Sequence, residues 1–218
     1  MNDGLVMRLE EFFRLSPSSS GLILPPDPAE HGFRPDQQID GRNMRRAGVL
    51  IPVISAGPGG ESRIMLTLRT KHLRSHAGQV SLPGGSAEPH DADIIRTALR
   101  EAEEETCLPS HAVQVMGTLP ALIMPSAFHV TPVVGLIKAE AEAQLQACPV
   151  EVAEIFYVPT AYLLNPKNYR VASMEFQNRE RRFMETHFDG YRIWGATAAI
   201  LHHLAKQIHA LEDSVSAR

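Results

Sequence analysis

The segment 83–108 constrains the fold more than any other part of the sequence, because a loop containing two glycines leads there into a helix crowded with acidic residues. Apolar residues recur at helical spacing over 92–106, which predicts one amphipathic helix with an apolar stripe facing a core. Asp91 or Asp93 is suited to cap its first turn. The stripe consists of Ile95, Ala98, Leu99 and Ala102.

Three of the four glutamates near the end of this helix share one face. With Glu101 as origin and a turn of about 100° per residue, Glu105 lies at about 40° and Glu104 at about −60°. These carboxylates border the apolar stripe, whereas Glu103 points toward solvent. Like charges at this spacing destabilise a helix by about 0.2–0.5 kcal/mol per pair, and Arg100 offsets one pair through Glu104.

Two interpretations of this acidic edge follow from the residues alone. The first is a solvated acidic face, as in most runs of like charge. The second is a site for a divalent cation, because partial desolvation would strengthen the repulsion unless a hard cation such as Mg²⁺ takes the carboxylate oxygens. The loop Pro83-Gly84-Gly85 favours the second interpretation, since glycine backbone can approach a ligand closely and a carbonyl could supply a further oxygen.

The remaining pattern of strands and helices predicts a mixed sheet covered by helices. Helices are expected at 4–15 and 193–211. We expect an N-terminal helix and extended arm at 1–46, a compact domain at 47–212 and a tail at 213–218. Strands are expected at 47–56, 63–70, 79–82, 113–119, 130–137 and 151–158, the last alone or with a short helix.

Composition argues against several functional classes. The net charge of −4 and the pI near 6.2 disfavour a general nucleic-acid-binding surface. No apolar stretch is long enough to cross a bilayer, and the N-terminus is acidic where a secretory signal would be basic and then apolar. Cys107 and Cys148 fit neither a disulfide framework nor a metal-ligand spacing, and Cys107 is expected to be a small packed residue. We therefore expect a cytoplasmic protein.

Residues 85–108 resemble the signature of the Nudix hydrolase family, G-x5-E-x7-R-E-U-x-E-E-x-G-U, in which U is aliphatic. The central REUxEE motif is intact at 100–105. Asp91 stands in place of the first glutamate, the spacer after it is one residue longer, and Cys107 stands at the late glycine. The last departure predicts a helix C-terminus without its usual left-handed residue.

A second stretch, MLTLRTKHLRSHAGQVSLPGG at 65–85, is similar to the signature LLTxRSxxLRxHxGQVxFPGG of the coenzyme A pyrophosphatase subgroup. Leu82 replaces the usual aromatic residue and Thr70 replaces serine. VTPVVGLI at 130–137 and YRIWGATAAI at 191–200 also resemble that subgroup.

The resemblance implies a Nudix fold of the α/β (α+β) class, with a mixed β-sheet sandwiched between α-helices. It implies that Glu101 and Glu105 bind Mg²⁺ or Mn²⁺, with Glu104 in the same site and the carbonyl of Gly84 as a further ligand. Arg100 would orient the glutamates. The implied reaction is hydrolysis of a nucleoside diphosphate linkage, here that of coenzyme A, yielding 4′-phosphopantetheine and adenosine 3′,5′-bisphosphate.

The loop before the glycines carries the best candidates for binding the substrate phosphates, namely Arg69, Lys71 and Arg74, because arginine suits phosphate oxygens. His76 is expected to organise that loop, and Trp194 is expected in the core. The proton of the attacking water would pass to a carboxylate of the cluster or to an acidic residue of a later loop, which the sequence leaves unassigned.

Other functions stay open at this point. The substrate could instead be a dinucleotide, ADP-ribose or a nucleoside triphosphate. The chain could also be a non-catalytic Nudix-like regulator that binds a nucleotide, although the intact acidic motif argues against this. A docking patch of a structural protein is a further alternative. The expected partner is a small nucleotide, with neither nucleic acid nor membrane, and a homodimer is possible.

Overall fold

The computed structural model describes residues 4–16, 18, 21–24, 44–57, 60–73, 75–124, 128–176 and 179–216. Within them, nine strands form one mixed sheet and three form a smaller antiparallel sheet. The large sheet contains β1 (Leu22–Ile23), β2 (Arg45–Ile54), β3 (Arg63–Arg69), β4 (Val80–Ser81), β5 (Gly84–Ser86), β6 (Val113–Thr118), β7 (Ala121–Met124), β8 (Phe128–Ile137) and β9 (Val152–Pro159). The small sheet contains β10 (Arg170–Phe176), β11 (Arg179–Phe188) and β12 (Tyr191–Trp194). The helices are α1 (Gly4–Leu15), α2 (Ile94–Thr106), α3 (Thr160–Leu163) and α4 (Gly195–Ser216).

The parallel pair of β2 and β8 forms the centre of the large sheet and pairs along the full length of both strands. β3 pairs antiparallel with β2, β4 and β9. β6 and β7 pair antiparallel with β8, and β1 pairs parallel with β7. The predicted mixed sheet is therefore confirmed.

Alternate residues of β2 enter two different cores. Ile51 and Val53 pack among residues of α1 and α4, whereas Leu50 and Ile54 pack against the apolar stripe of α2. Successive side chains of a strand point to opposite faces, so a strand covered on both faces reads as a continuous apolar run. The sheet thus lies between α2 on one face and α1 with α4 on the other, as the resemblance implied.

Several element boundaries differ from the expectations. β2 begins at Arg45 rather than 47, and residues 193 and 194 belong to β12, so α4 begins only at Gly195, which has a φ of 65°. The small sheet was not predicted, because consecutive charged residues at the start of β11, such as Arg181 and Arg182, fall on both faces and hide the alternation typical of a strand. Most of the expected arm lies outside the described residues, and the division into domains stays a prediction.

No helix in the described part of the chain is long and apolar enough to span a lipid bilayer.

We predict that Phe13→Ala lowers the free energy of unfolding by about 3 kcal/mol, because this α1 side chain is only 2% exposed and leaves a cavity in the main core. Leu15→Ala is the matched control. Its side chain lies two residues away and is 59% exposed, so the change should stay within about 0.5 kcal/mol. Urea denaturation measures both. Equal effects of the two substitutions would show that α1 does not pack stably on the core.

Candidate functional site

Both ends of α2 are capped by local contacts. The carboxylate of Asp93 accepts a hydrogen bond from the backbone N–H of Arg96 at 2.8 Å, which confirms the predicted cap. At the other end Cys107 itself adopts the left-handed conformation, with φ 55° and ψ 19°, so the expectation that this conformation is lost was wrong. A residue with a Cβ pays about 1 kcal/mol for it. Cys107 is also exposed rather than packed.

The helix lies directly on the backbone of β2. A Cβ at Gly48 would stand 2.7 Å from the carbonyl oxygen of Ile94, so only glycine permits this approach. At Gly85, in β5, an added Cβ would stand 2.3 Å from a carboxylate oxygen of Glu101. The glycine loop therefore forms the surface on which the glutamates of α2 rest.

Glu105 is the most buried of these glutamates, with 3% of its surface exposed. Its two oxygens accept hydrogen bonds from the Gly84 N–H at 3.3 Å and from the Arg69 guanidinium at 3.2 Å. Burial raises the pKa of Glu105 to about 7, although Arg69 and the Gly84 N–H oppose the shift. The loop thus contributes a backbone N–H to this carboxylate.

Glu101 lies beside Glu105, and burial also raises its pKa, while the charge of Arg100 acts in the opposite direction. Glu104 differs from both, because its side chain is 60% exposed and receives hydrogen bonds from Arg100 at 3.2 Å. The structure therefore brings Glu101 and Glu105 to the glycine loop and leaves Glu104 at the rim.

Arg100 is held by Asp91 in a two-pronged contact, with nitrogen–oxygen distances of 3.0 and 3.1 Å. The guanidinium also contacts Glu101 at 3.1 Å and the carbonyl of Ser86 at 3.1 Å. These hydrogen bonds hold the pKa of the Asp91 carboxyl well below its usual range, against the opposing effect of burial. Asp91 therefore orients Arg100, which in turn holds the helix against the glycine loop.

The predicted phosphate-binding residues have different positions. Arg69 lies between Glu105 and Glu151, at 3.2 and 3.6 Å. Lys71 is exposed in the following turn, and Arg74 lies outside the described residues. His76 has a φ of 56° and its ring contacts Gln79 at 2.9 Å, in agreement with its expected role in organising the loop.

Glu151 is the site residue that the sequence did not identify. The backbone N–H of Thr70 donates to its carbonyl at 2.9 Å and places it at the start of β9, next to Arg69. Its charge contributes to the raised pKa of both Glu101 and Glu105. Nothing in the local sequence marks Glu151, because contacts between distant segments bring it to α2. These are the pairing of β3 with β9 and the hydrogen bond from the Cys148 N–H to the Glu105 carbonyl at 2.9 Å.

The site has an excess of negative charge. Five carboxylates meet two guanidinium groups, those of Arg69 and Arg100. Within the described residues, no three His, Cys, Asp or Glu side chains are grouped closely enough to enclose a metal ion. The donors are nonetheless all hard oxygens, partly desolvated and undercompensated, which suits Mg²⁺ or Mn²⁺. The carboxylates are those of Asp91, Glu101, Glu104, Glu105 and Glu151.

Comparison with known proteins identifies the family. The NUDIX domain model matches residues 44–176, which is more than half of the chain. The chain belongs to the Nudix family of hydrolases. A protein named "Uncharacterized Nudix hydrolase NudL" from Yersinia pestis (strain Pestoides F) is 42% identical over 164 residues, which cover 75% of this chain and 80% of that protein. A NudL protein of Yersinia pseudotuberculosis serotype O:1b (strain IP 31758) matches equally well.

Among solved structures, the MutT protein from Methanosarcina mazei Go1 is similar to this Nudix chain with a TM-score of 0.47 and 16% identity, covering 75% of this chain and 93% of that one. A MutT/nudix family protein from Enterococcus faecalis has a TM-score of 0.48 and 14% identity, covering 83% and 65%.

We predict that Asp91→Asn lowers the free energy of unfolding of this Nudix protein by about 2 kcal/mol at pH 7, because Arg100 loses the charge of its main partner. The pKa of Asp91 is depressed in the folded state, so its stabilisation is present above the unfolded pKa and is lost as pH falls. The difference in free energy of unfolding between the wild type and Asp91→Asn should therefore decrease below about pH 4. Urea denaturation at several pH values measures it.

Asp93→Asn is the control, because asparagine caps a helix as well as aspartate does and should change stability by less than about 0.5 kcal/mol. A deficit of Asp91→Asn that does not depend on pH would contradict the assignment of Asp91 as an ionised anchor.

Proposed function

We propose that this Nudix hydrolase cleaves the diphosphate linkage of coenzyme A or its derivatives, yielding 4′-phosphopantetheine and adenosine 3′,5′-bisphosphate. The main support for a diphosphate substrate is the excess of carboxylates over guanidinium groups at the glycine loop. This excess favours binding of a divalent cation together with phosphate oxygens. The choice of coenzyme A is supported by the similarity of segment 65–85 to the coenzyme A pyrophosphatase signature.

Glu101 and Glu105 would hold the cation, with Glu104 contributing directly or through water and the Gly84 carbonyl as a further oxygen. When bound, a divalent cation supplies charge neutralisation for the diphosphate and lowers the pKa of a water molecule. The chain itself keeps the carboxylates in place. Gly85 leaves room for Glu101, and the Gly84 N–H and Arg69 fix the two oxygens of Glu105.

Arg100 is proposed to orient Glu101, because Asp91 and the Ser86 carbonyl hold its guanidinium against that carboxylate. Arg69 is the proposed phosphate contact nearest to the site, because it already bridges Glu105 and Glu151. Lys71 is exposed in the same loop and is proposed to contact phosphate more peripherally. Arg74 stays a candidate phosphate contact on the sequence resemblance alone. Phosphoryl transfer depends on positioning and charge compensation of this kind more than on covalent catalysis.

Glu151 is the later-loop carboxylate that we propose accepts the proton of the attacking water. Its side chain is 49% exposed and so is open to solvent, while Arg69 keeps it beside the buried glutamates. A general base must reach the water it deprotonates, and this half-exposed carboxylate at the edge of the cluster is in a suitable place to do so.

The direct test is to incubate the protein and Mg²⁺ with coenzyme A, ADP-ribose or a dinucleotide, with and without a chelator, and to identify the products by mass. We expect the two coenzyme A fragments, and no turnover with chelator. Glu105→Gln should lower the metal-dependent turnover by on the order of 100-fold or more and leave the circular dichroism spectrum unchanged.

Glu103→Gln is the control for this test, because Glu103 lies on the same helix but faces solvent and contacts Ser110. Full activity of Glu105→Gln at ordinary Mg²⁺ concentrations would show that the cation does not depend on Glu105. Faster turnover of ADP-ribose or a dinucleotide than of coenzyme A would reassign the substrate within the family.

Glu151→Gln should lower kcat by about 10²- to 10⁴-fold, because the proton acceptor is lost, while the Mg²⁺ concentration for half-maximal rate changes little. Glu154→Gln is the control, because Glu154 lies three residues further along, in β9, and its carboxylate contacts the Tyr191 hydroxyl instead of Arg69. A Glu151→Gln enzyme with normal kcat would move the proton acceptor to another carboxylate.

A further inference from the structure

The outward face of the small sheet carries a second charged cluster, separate from the glycine loop. Thr186 and Ile193 are buried and point inward, so their neighbours along β11 and β12 point outward. Arg170, Glu185 and Trp194 stand side by side across the three strands. The arginine–aromatic face, as we define it, consists of Arg170, Phe183, Glu185, Arg192 and Trp194.

Glu185 is 3% exposed although it lies on this outward face. One of its oxygens accepts from Nε and contacts Nη2 of Arg170, both at 2.8 Å. The other accepts from Nε of Arg192 at 2.8 Å and contacts its Nη2 at 2.7 Å. Burial alone would raise the pKa of Glu185, but the two arginines hold it below its usual value. One ionised carboxylate therefore fixes two guanidinium groups next to each other.

Both arginines keep the buried carboxylate of Glu185 ionised, yet their own side chains stay open to solvent. The side chains of Arg170 and Arg192 are 70% and 50% exposed. One carboxylate against two guanidinium groups leaves the cluster positive, within a chain of net charge −4. Arg170 and Arg192 each contact Glu185 through Nε and Nη2, so their Nη1 edges lie away from the shared carboxylate. Such pre-positioned guanidinium groups suit a phosphate.

Two aromatic rings adjoin the guanidinium of Arg192. Its central carbon lies 5.3 Å from the ring centre of Trp194 and 5.6 Å from that of Phe183. Trp194 was expected in the core, but it is half-buried on the outward face, as is Phe183. A flat ring beside a phosphate-binding group is the arrangement by which proteins hold a nucleotide, through stacking on its base and contact with its phosphate.

We propose that the arginine–aromatic face binds a phosphorylated nucleoside, with the phosphate on Arg170 and Arg192 and the base against Trp194. Two sources supply this chemistry. One is the adenosine 3′-phosphate end of the substrate, for which the inference rests on the proposed function, and the other is a separate nucleotide. β12 lies next to β4. In the first turn of α4, which follows β12, Thr197 donates a hydrogen bond to the carbonyl of Val80, three residues before Pro83.

Trp194 provides the measurement, since it is the single tryptophan of the chain. With chelator present, titration with adenosine 3′,5′-bisphosphate should change the tryptophan fluorescence in a saturable way. Arg170→Gln and Arg192→Gln should each weaken the apparent Kd by about 10-fold, as expected for the loss of one charge-assisted contact. Arg170→Lys should lose less, because it keeps the charge without the planar fork.

Arg182→Gln is the control, because this arginine lies on β11 with Glu185 but alternates to the other face. The same titration of Glu105→Gln should match the wild type, so that binding at this face stays readable even if the proposed hydrolysis of coenzyme A fails. Thermal melting of every variant shows whether it is folded.

Steady-state kinetics then separate the two sources of the nucleoside. If it is the end of the substrate, Arg170→Gln and Arg192→Gln raise KM for coenzyme A about 10-fold and leave KM for ADP-ribose, which has no 3′-phosphate, unchanged. If it is a separate nucleotide, both KM values stay the same while the fluorescence titration is weakened. The proposal is overturned if Trp194 does not respond to the nucleotide, or if folded Arg170→Gln and Arg192→Gln variants bind it as the wild type does.

Discussion

The site depends on the close approach of α2 to the backbone of β2 and β5. At Gly48 and Gly85 any side chain would overlap the helix or the Glu101 carboxylate, so backbone forms the contact surface. The glutamates of α2 consequently rest on peptide groups at the edge of the core. Burial there raises the pKa of Glu105 to about 7 and also raises that of Glu101. The same packing that orders the helix therefore creates carboxylates that need additional positive charge.

Two arginines, Arg69 and Arg100, hold these carboxylates in place through ion pairs. Arg100 is anchored by Asp91 and reaches Glu101 and Glu104 from the helix itself. Arg69 arrives from the end of β3 and joins Glu105 to Glu151 across the pairing of β3 with β9. The departure from the Nudix signature at Asp91 has a clear structural role, because the shorter acid accepts both prongs of Arg100.

Much of the fold was predictable because the helices and central strands have local patterns of apolar residues. The spacing of apolar residues located α2 and most of α4, and the continuous apolar runs located β2 and β8. Boundaries were less accurate, as at the start of α4, where a glycine with positive φ follows a strand that continues the apolar stripe. The small sheet was not predicted, because its strands are rich in charged residues and only the strand register brings Arg170 beside Glu185.

By itself the sequence determined that three carboxylates share one edge of α2 and that a glycine loop precedes this helix. Both features follow from residue spacing within one segment. Only the tertiary structure decided how they are arranged. Glu104 lies at the rim of the site, and Glu151 belongs to a loop that is distant in sequence. Trp194 lies half-buried on the outward face of the small sheet instead of in the core. The physical reason is that burial and charge pairing depend on which segments meet, and contacts between distant segments leave no periodic trace in the sequence.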